Sequence, residues 1–157
     1  MPGSQDPRSR NAGRARFDGV AFADAPSFLL ARANAISLAR GNSALAPCGL
    51  RVRSYAVLEL ATTAQRPSQR DLATFLRLDP SQVVSIVDDL ESQGLVVRST
   101  DSDDRRSKVV EATEQGQIRV QEARLALDAA DARVFASLSP DERAALTQLL
   151  GRVAFDD

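Results

Sequence analysis

The chain has 157 residues, 43% hydrophobic and 26% charged, enough for one domain with a sizeable core and ordinary for a soluble protein. Net charge is -1, so bulk charge announces no nucleic-acid partner. There is no His and a single Cys, Cys48, which excludes Ser-His-Asp and Cys-His catalysis, His-containing zinc sites and an internal disulfide.

Lys108 is the single lysine among 20 cations, and the rest are Arg. Arg offers a planar five-donor fork suited to phosphates and base edges, although a GC-rich genome explains the bias equally well. No apolar run reaches the ~18 residues of a membrane span, and the N-terminus lacks a signal-peptide apolar core. Together with the lone Cys, this fits a reducing cytoplasm. No internal repeat, nucleophile–base pair or metal set is visible, so no enzyme, cofactor, metal or membrane contact is expected.

Residues 1–23 are rich in Gly, Ser, Arg and Asp and read as an arm that is mostly disordered or partly helical, with a short helical turn. Such an arm can touch DNA phosphate, but a solvated tail is the plainer reading. From Asp24 the pattern turns helical: a capping-type Asp, then Pro26, then Leu29, Ala33 and Ile36 at helical spacing. Gly41-Asn42, and later Pro47 with Gly49, are expected to break it. A second helix fits "RVRSYAVLELATTA", with Tyr55, Val57, Leu58, Leu60 and Ala61 on a wide apolar face.

Ser68 with Asp71 three residues later is a capping-box variant, starting a short helix that carries Leu72, Ala73 and Leu76. Asp79 caps the next helix, with Pro80 at its first position and Gln82 expected to complete the box. Val83, Ile86, Val87 and Leu90 fall at i, i+3, i+4 and i+7, a buried stripe. Positions 81, 84, 85, 88 and 89 lie roughly opposite. Gly94 suits the left-handed residue that ends a helix. "LVVRS" and "KVVEAT" read as two strands flanking "DSDDRRS". Two short helices, a recognition-type helix and a two-stranded hairpin are the order of a winged helix-turn-helix.

After Gly116 the chain is expected to turn helical, with Ile118, Leu125 and Ala132 seven apart and Ala129 and Phe135 broadening the stripe. In "SPDERAALTQLLGRVA" Ser139 caps, Pro140 follows and Glu142 completes the box. Ala145, Leu146, Leu149, Leu150 and Val153 line one face. Apolar faces at both chain ends predict pairing with a second copy. The organisation is thus an arm (1–23), an N-terminal dimerisation helix (24–46), a winged helix-turn-helix region (47–113) and C-terminal dimerisation helices (114–157). The fold class is mainly α with a small β-hairpin wing (α+β).

The stretches "SQRDLATFLRLDPSQVVSIVDDLESQGLVVR" and "DSDDRRSKVVEATEQG" resemble the MarR family of bacterial transcription regulators. The likeness runs from about Asp24 to Val153. It implies an obligate homodimer joined by its terminal helices, binding double-stranded DNA at a palindromic operator. It also implies relief by a small aromatic acid, by cysteine oxidation or, in a few branches, by metal. Residue by residue, it places Ser81, Gln82 and Ser85 on the groove-facing side of the recognition helix. Gln69 and Arg70 would meet phosphate. Arg106 matches a wing-tip arginine entering the minor groove, Asp104 the acid that orients it, and Arg105 and Lys108 flank them. Arg32, Arg40, Arg51, Arg53 and Tyr55 are candidate partners for an effector carboxylate.

The chain departs from the family pattern at Val84 and Ser85, where a polar residue and then Arg or Lys are usual. It departs again at Asp89, where a base or polar residue is common, and at Ala112, where a larger aliphatic is frequent. Asp88 and Asp89 would repel an approaching phosphate. Two readings therefore compete. One is a ligand-responsive DNA-binding repressor; the other is a winged-helix protein-interaction module that has lost operator binding. A Cys48-based redox-sensing regulator is a variant of the first, since Arg51 and Tyr55 lie one and two helical turns from Cys48, which otherwise reads as buried and inert.

Overall fold

A computed structural model of the chain describes residues 19–100 and 108–155. They fall into two compact units, one ending at Ser37 and the other beginning at Leu38. In the first, a 3-10 turn at Ala21–Asp24 precedes helix α1 (Pro26–Leu45), which continues into the second. Phe22 and Phe28 meet edge to face with centroids 4.9 Å apart, a favoured aromatic geometry. Leu29, Leu30 and Ile36 on α1 are exposed. Most of the arm expected over 1–23 lies outside the described residues.

Gly41-Asn42 does not break α1, which runs through to Leu45. Gly41 is buried, and a Cβ there would lie 2.6 Å from Val52 Cγ2. The glycine is needed for close approach rather than as a stop. Asn42 Oδ1 accepts the Val52 N–H at 2.9 Å, satisfying one of the orphan amides at the start of the next helix.

The second unit continues with α2 (Val52–Ala61), α3 (Gln69–Leu76) and α4 (Pro80–Ser92). Strands β1 (Val96–Thr100) and β2 (Lys108–Ala112) follow, then α5 (Glu114–Val134) and α6 (Pro140–Phe155). The strands are antiparallel, with Val96 opposite Ala112 and Arg98 opposite Val110. The backbone before α3 joins this hairpin: Pro67 O accepts the Val110 N–H at 2.9 Å, and Ser68 bridges Val109.

The caps explain why these segments become helices. Ser68 Oγ accepts the Asp71 N–H at 3.2 Å, while Asp71 Oδ2 accepts the Ser68 N–H at 2.9 Å. That is the reciprocal box. Ser139 and Glu142 form another, with the Ser139 N–H donating to Glu142 at 2.7 Å. At α4 the partner differs from expectation. The Ser81 N–H and hydroxyl both donate to Asp79 Oδ1, and Gln82 is exposed. Asp79 reaches the second helical amide, which leaves the Gln82 side chain available.

The core is the expected stripe from α4 (Val83, Val87 and Leu90) packed with Leu58, Leu72, Leu95, Val96 and Val110. Gly94 takes φ 71°. Helix α5 starts two residues before Gly116, with Thr113 Oγ1 accepting the Gly116 N–H at 3.0 Å. A Cβ on Gly116 would meet Leu95 O at 2.1 Å, so any larger residue forces α5 away from the bend that leads into β1. The face that α5 buries is Gly116, Val120, Ala123 and Ala130. The stripe expected from sequence points elsewhere, with Ile118 and Leu125 exposed, the latter at 73%. Helix α6 buries no residue, and Leu149, Leu150, Val153 and Phe155 are all exposed.

Candidate nucleic-acid interface

Burying Val83, Val87 and Leu90 turns the opposite face of α4 to solvent. Ser81, Gln82, Val84, Ser85, Asp88 and Asp89 are all exposed. Ser81, Gln82 and Ser85 thus sit where the sequence puts them. Val84 adds an apolar group, 40% exposed, in the middle of that polar face. Such a face fits a B-DNA major groove, which admits an α-helix and reads polar and methyl contacts alike.

One side chain ties this face to its surroundings, and the sequence does not single it out. Arg98 on β1 donates from Nε and Nη2 to Gln69 Oε1 at 3.0 and 2.9 Å. Its guanidinium also pairs with Asp88 and with Glu91 on α4. The Arg98 backbone N–H adds a bond to Glu91 Oε1 at 3.0 Å. Arg has no acceptor, so the Gln69 oxygen must face it. The amide nitrogen of Gln69, with two donors, is then the end that can meet a phosphate oxygen. Asp88, which the sequence reads as repelling an approaching phosphate, is paired with Arg98. Arg70, the next residue along α3, is exposed.

A second arginine secures the wing. Arg66 adopts φ 47°, a left-handed conformation uncommon outside glycine. From there its Nε donates to Glu111 Oε1 at 2.8 Å and its Nη2 to Ser99 Oγ at 3.2 Å. Both strands are so held from the loop before α3. Hydrogen bonds from Arg66 and then from Ser99 hold the Glu111 carboxyl below its ordinary pKa. Lys108 is exposed and donates to Thr100 Oγ1 at 2.9 Å across the strand ends. Asp104, Arg105 and Arg106, the expected wing tip, lie outside the described residues.

Comparison with known proteins agrees with this geometry. The MarR family model matches residues 50–108, which span α2 through the start of β2. A MarR-family transcriptional regulator from Rhodococcus sp. RHA1 is 42% identical, with 83% of this chain and 93% of that one covered and a TM-score of 0.78. The chain belongs to the MarR family. Also similar is CouR from Rhodococcus jostii RHA1, solved bound to p-coumaroyl-CoA. It is 42% identical over 87% of this chain and 96% of that one, with a TM-score of 0.79. The HTH-type transcriptional repressor Rv2887 of Mycobacterium tuberculosis is 28% identical over 85% of this chain and 96% of its own. Structures of Rv2887 with salicylic acid and with DNA have TM-scores of 0.69 and 0.68, each with 83% of this chain and 98% of that one covered.

In this MarR-family chain the candidate effector residues fall on α1 and at the start of α2. Arg51 and Arg53 are exposed at the start of α2, and Arg32 is exposed on α1. Arg40 donates to Arg133 O at 3.1 Å. Tyr55 belongs to a cluster that the sequence hides. Its hydroxyl donates to Glu59 Oε2 at 2.5 Å, and Glu59 pairs with Arg124 on α5. Burial first, and then the bond to Glu59, pushes the Tyr55 pKa up. Cys48 is half-buried against the core, and its carbonyl accepts from Arg119 at 2.5 Å. A cleft between α5 and α6 is lined by Asp128, Asp131, Phe135, Arg143, Leu146 and Leu150, none of them among the expected effector residues. Among the described residues no helix is long and apolar enough to cross a membrane, and no group of acids and Cys is arranged to hold a metal.

Proposed function

We propose that the chain is a cytoplasmic homodimeric transcriptional regulator, a repressor rather than an enzyme, that binds a palindromic double-stranded DNA operator and is released by a small aromatic anion. The observation that carries this is the face of α4: Val83, Val87 and Leu90 are buried in the core and Ile86 packs half-buried against it, while Ser81, Gln82, Val84 and Ser85 stand exposed together. Gln69 and Arg70 would meet phosphate, and Arg105, Arg106 and Lys108 with Asp104 would form the wing contact. Residues 47–113 form the DNA-binding region, 24–46 and 114–157 the dimerisation helices, and 1–23 an arm. The exposed apolar residues of α6 favour a second copy. The rival reading, a protein-binding module, draws support from Val84, Asp88 and Asp89. Pairing of Asp88 with Arg98 weakens that support.

The relatives bound to p-coumaroyl-CoA and to salicylic acid support an effector with an aromatic ring and an anionic group. Two measurements test the reading. Selection from random duplexes should enrich a palindrome whose affinity falls steeply between about 50 and 200 mM salt. Salicylate or p-coumaroyl-CoA should raise the melting temperature, because a ligand that binds only the folded state stabilises it, and should release the selected duplex. A chain that enriches no duplex is the protein-binding module instead. Loss of duplex to peroxide but to no aromatic anion, abolished by Cys48→Ser, would move the switch to Cys48.

A further inference from the structure

We infer that Arg98 is a positioning residue for DNA readout, fixing the Gln69 amide and cancelling the Asp88 and Glu91 charges beside the readout face. The inference rests on the DNA-binding reading above. It starts from one guanidinium that joins three elements: β1, which carries it, α3 through Gln69, and α4 through Asp88 and Glu91. The Arg98 side chain is 24% exposed, whereas Asp88 is 61% exposed. The cation is therefore withdrawn and the anion it neutralises stands toward solvent. Four of its five N–H donors are committed within the protein, so it acts through its neighbours rather than on DNA.

Two consequences follow from removing it. Asp88 and Glu91 become uncompensated anions on and beside the face of α4 that would meet phosphate-flanked bases, where like charges repel. The Gln69 amide also loses the partner that dictates which end is oxygen, so half of its orientations present an acceptor to an acceptor. A lysine supplies the charge as a single point without the fork and cannot meet Gln69, Asp88 and Glu91 together.

The test uses the full chain and the tightest duplex recovered from a random pool. Arg98→Met should weaken that duplex about tenfold or more, the scale of coupling within one charged network. Adding Asp88→Asn and Glu91→Gln to Arg98→Met should restore most of the loss. Arg98→Lys should fall between. A purely structural role would lower the melting temperature, and neutralising the acids would restore no binding. Arg98→Met with parental affinity, or with a loss that the two neutralisations leave in place, overturns the inference. Should Arg98→Met fail to fold, Arg98→Gln carries the test in its place: parental affinity, or a loss that the two neutralisations leave in place, overturns it, and a loss they restore sustains it. A parent that enriches no duplex overturns the DNA-binding reading and this inference with it; a parent that enriches one while Arg98→Met matches it overturns this inference alone.

Discussion

Asp88 on α4 is ion-paired with Arg98 on the first strand, while its neighbour Asp89 takes only a neutral partner, the Gln93 amide at 3.1 Å, among the described residues. The two adjacent carboxylates are therefore unequal toward DNA. Asp89→Asn should tighten binding to duplex of any sequence by about 0.2–1 kcal/mol, the range of an exposed charge interaction. Asp88→Asn should do less. Titrations at two salt concentrations check this, and a larger gain from Asp88→Asn would mean that the Arg98 pair does not persist on DNA.

Val84 is a stiff, β-branched group standing 40% exposed on the readout face. An apolar side chain in the major groove meets a thymine methyl. Replacing thymine by deoxyuridine at one position of the selected duplex should cost about 1 kcal/mol per subunit, near the value of one buried methylene. Val84→Ala should cost a similar amount on thymine and abolish the difference between the two bases. Equal affinity of the parent for every thymine-to-uracil duplex would remove Val84 from base readout.

At the wing, Arg106→Ala should weaken the selected duplex by about 1–3 kcal/mol per subunit, the range of a good groove contact. Asp104→Ala should cost less, since it frees the arginine without removing it. Arg70→Ala should instead weaken all sequences alike and flatten the salt slope by about one unit per contact. Parental binding by Arg106→Ala would make the wing a solvated turn, and Asp104→Ala as the worse variant would give that acid a role in hairpin folding.

Leu149 is 55% exposed on a helix that buries nothing within the chain. Leu149→Asp therefore costs a single chain little, but it puts an unpaired charge into the proposed dimer interface, which is expensive. Sedimentation at low micromolar concentration should show the parent as a dimer and the variant shifted toward monomer or unfolded chain. A folded monomeric parent would refute the pairing of terminal helices.

Much of this fold is legible because its signals are local. The α4 stripe, the Ser68–Asp71 and Ser139–Glu142 boxes, Gly94 and the two strands are each set by residues within a few positions of one another. What escapes the sequence depends on distant neighbours. Gly41 looks like a helix breaker until Val52 is seen against it. Arg98 meets Gln69 across 29 positions, and Glu59 meets Arg124 across 65, separations that no periodicity encodes. Ile118 and Leu125 recur at heptad spacing yet face away from the chain's own core, because periodicity finds an apolar stripe without saying what covers it.

The pH dependence of stability follows from composition and from the Arg66 clamp. With no His, no side chain of ordinary pKa titrates between about pH 5 and 8, so the melting temperature should be nearly level there. Glu111 is held below its ordinary value of 4.5 by Arg66 and then Ser99, and Asp71 below 3.8 by Ser68. A carboxylate depressed in the folded state contributes stability that is complete above its unfolded pKa and is lost as pH falls through the folded one. Between about pH 3 and 8 the melting temperature should therefore drop toward the acid end, below about pH 4.5. Glu111→Gln should lower it at neutral pH by the equivalent of about 1 kcal/mol or less, since the pair is partly exposed, and should make the acid limb shallower. Melting curves of parent and variant from about pH 3 to 8 decide it: parallel acid limbs would show that the Arg66–Glu111 pair does not stabilise the wing.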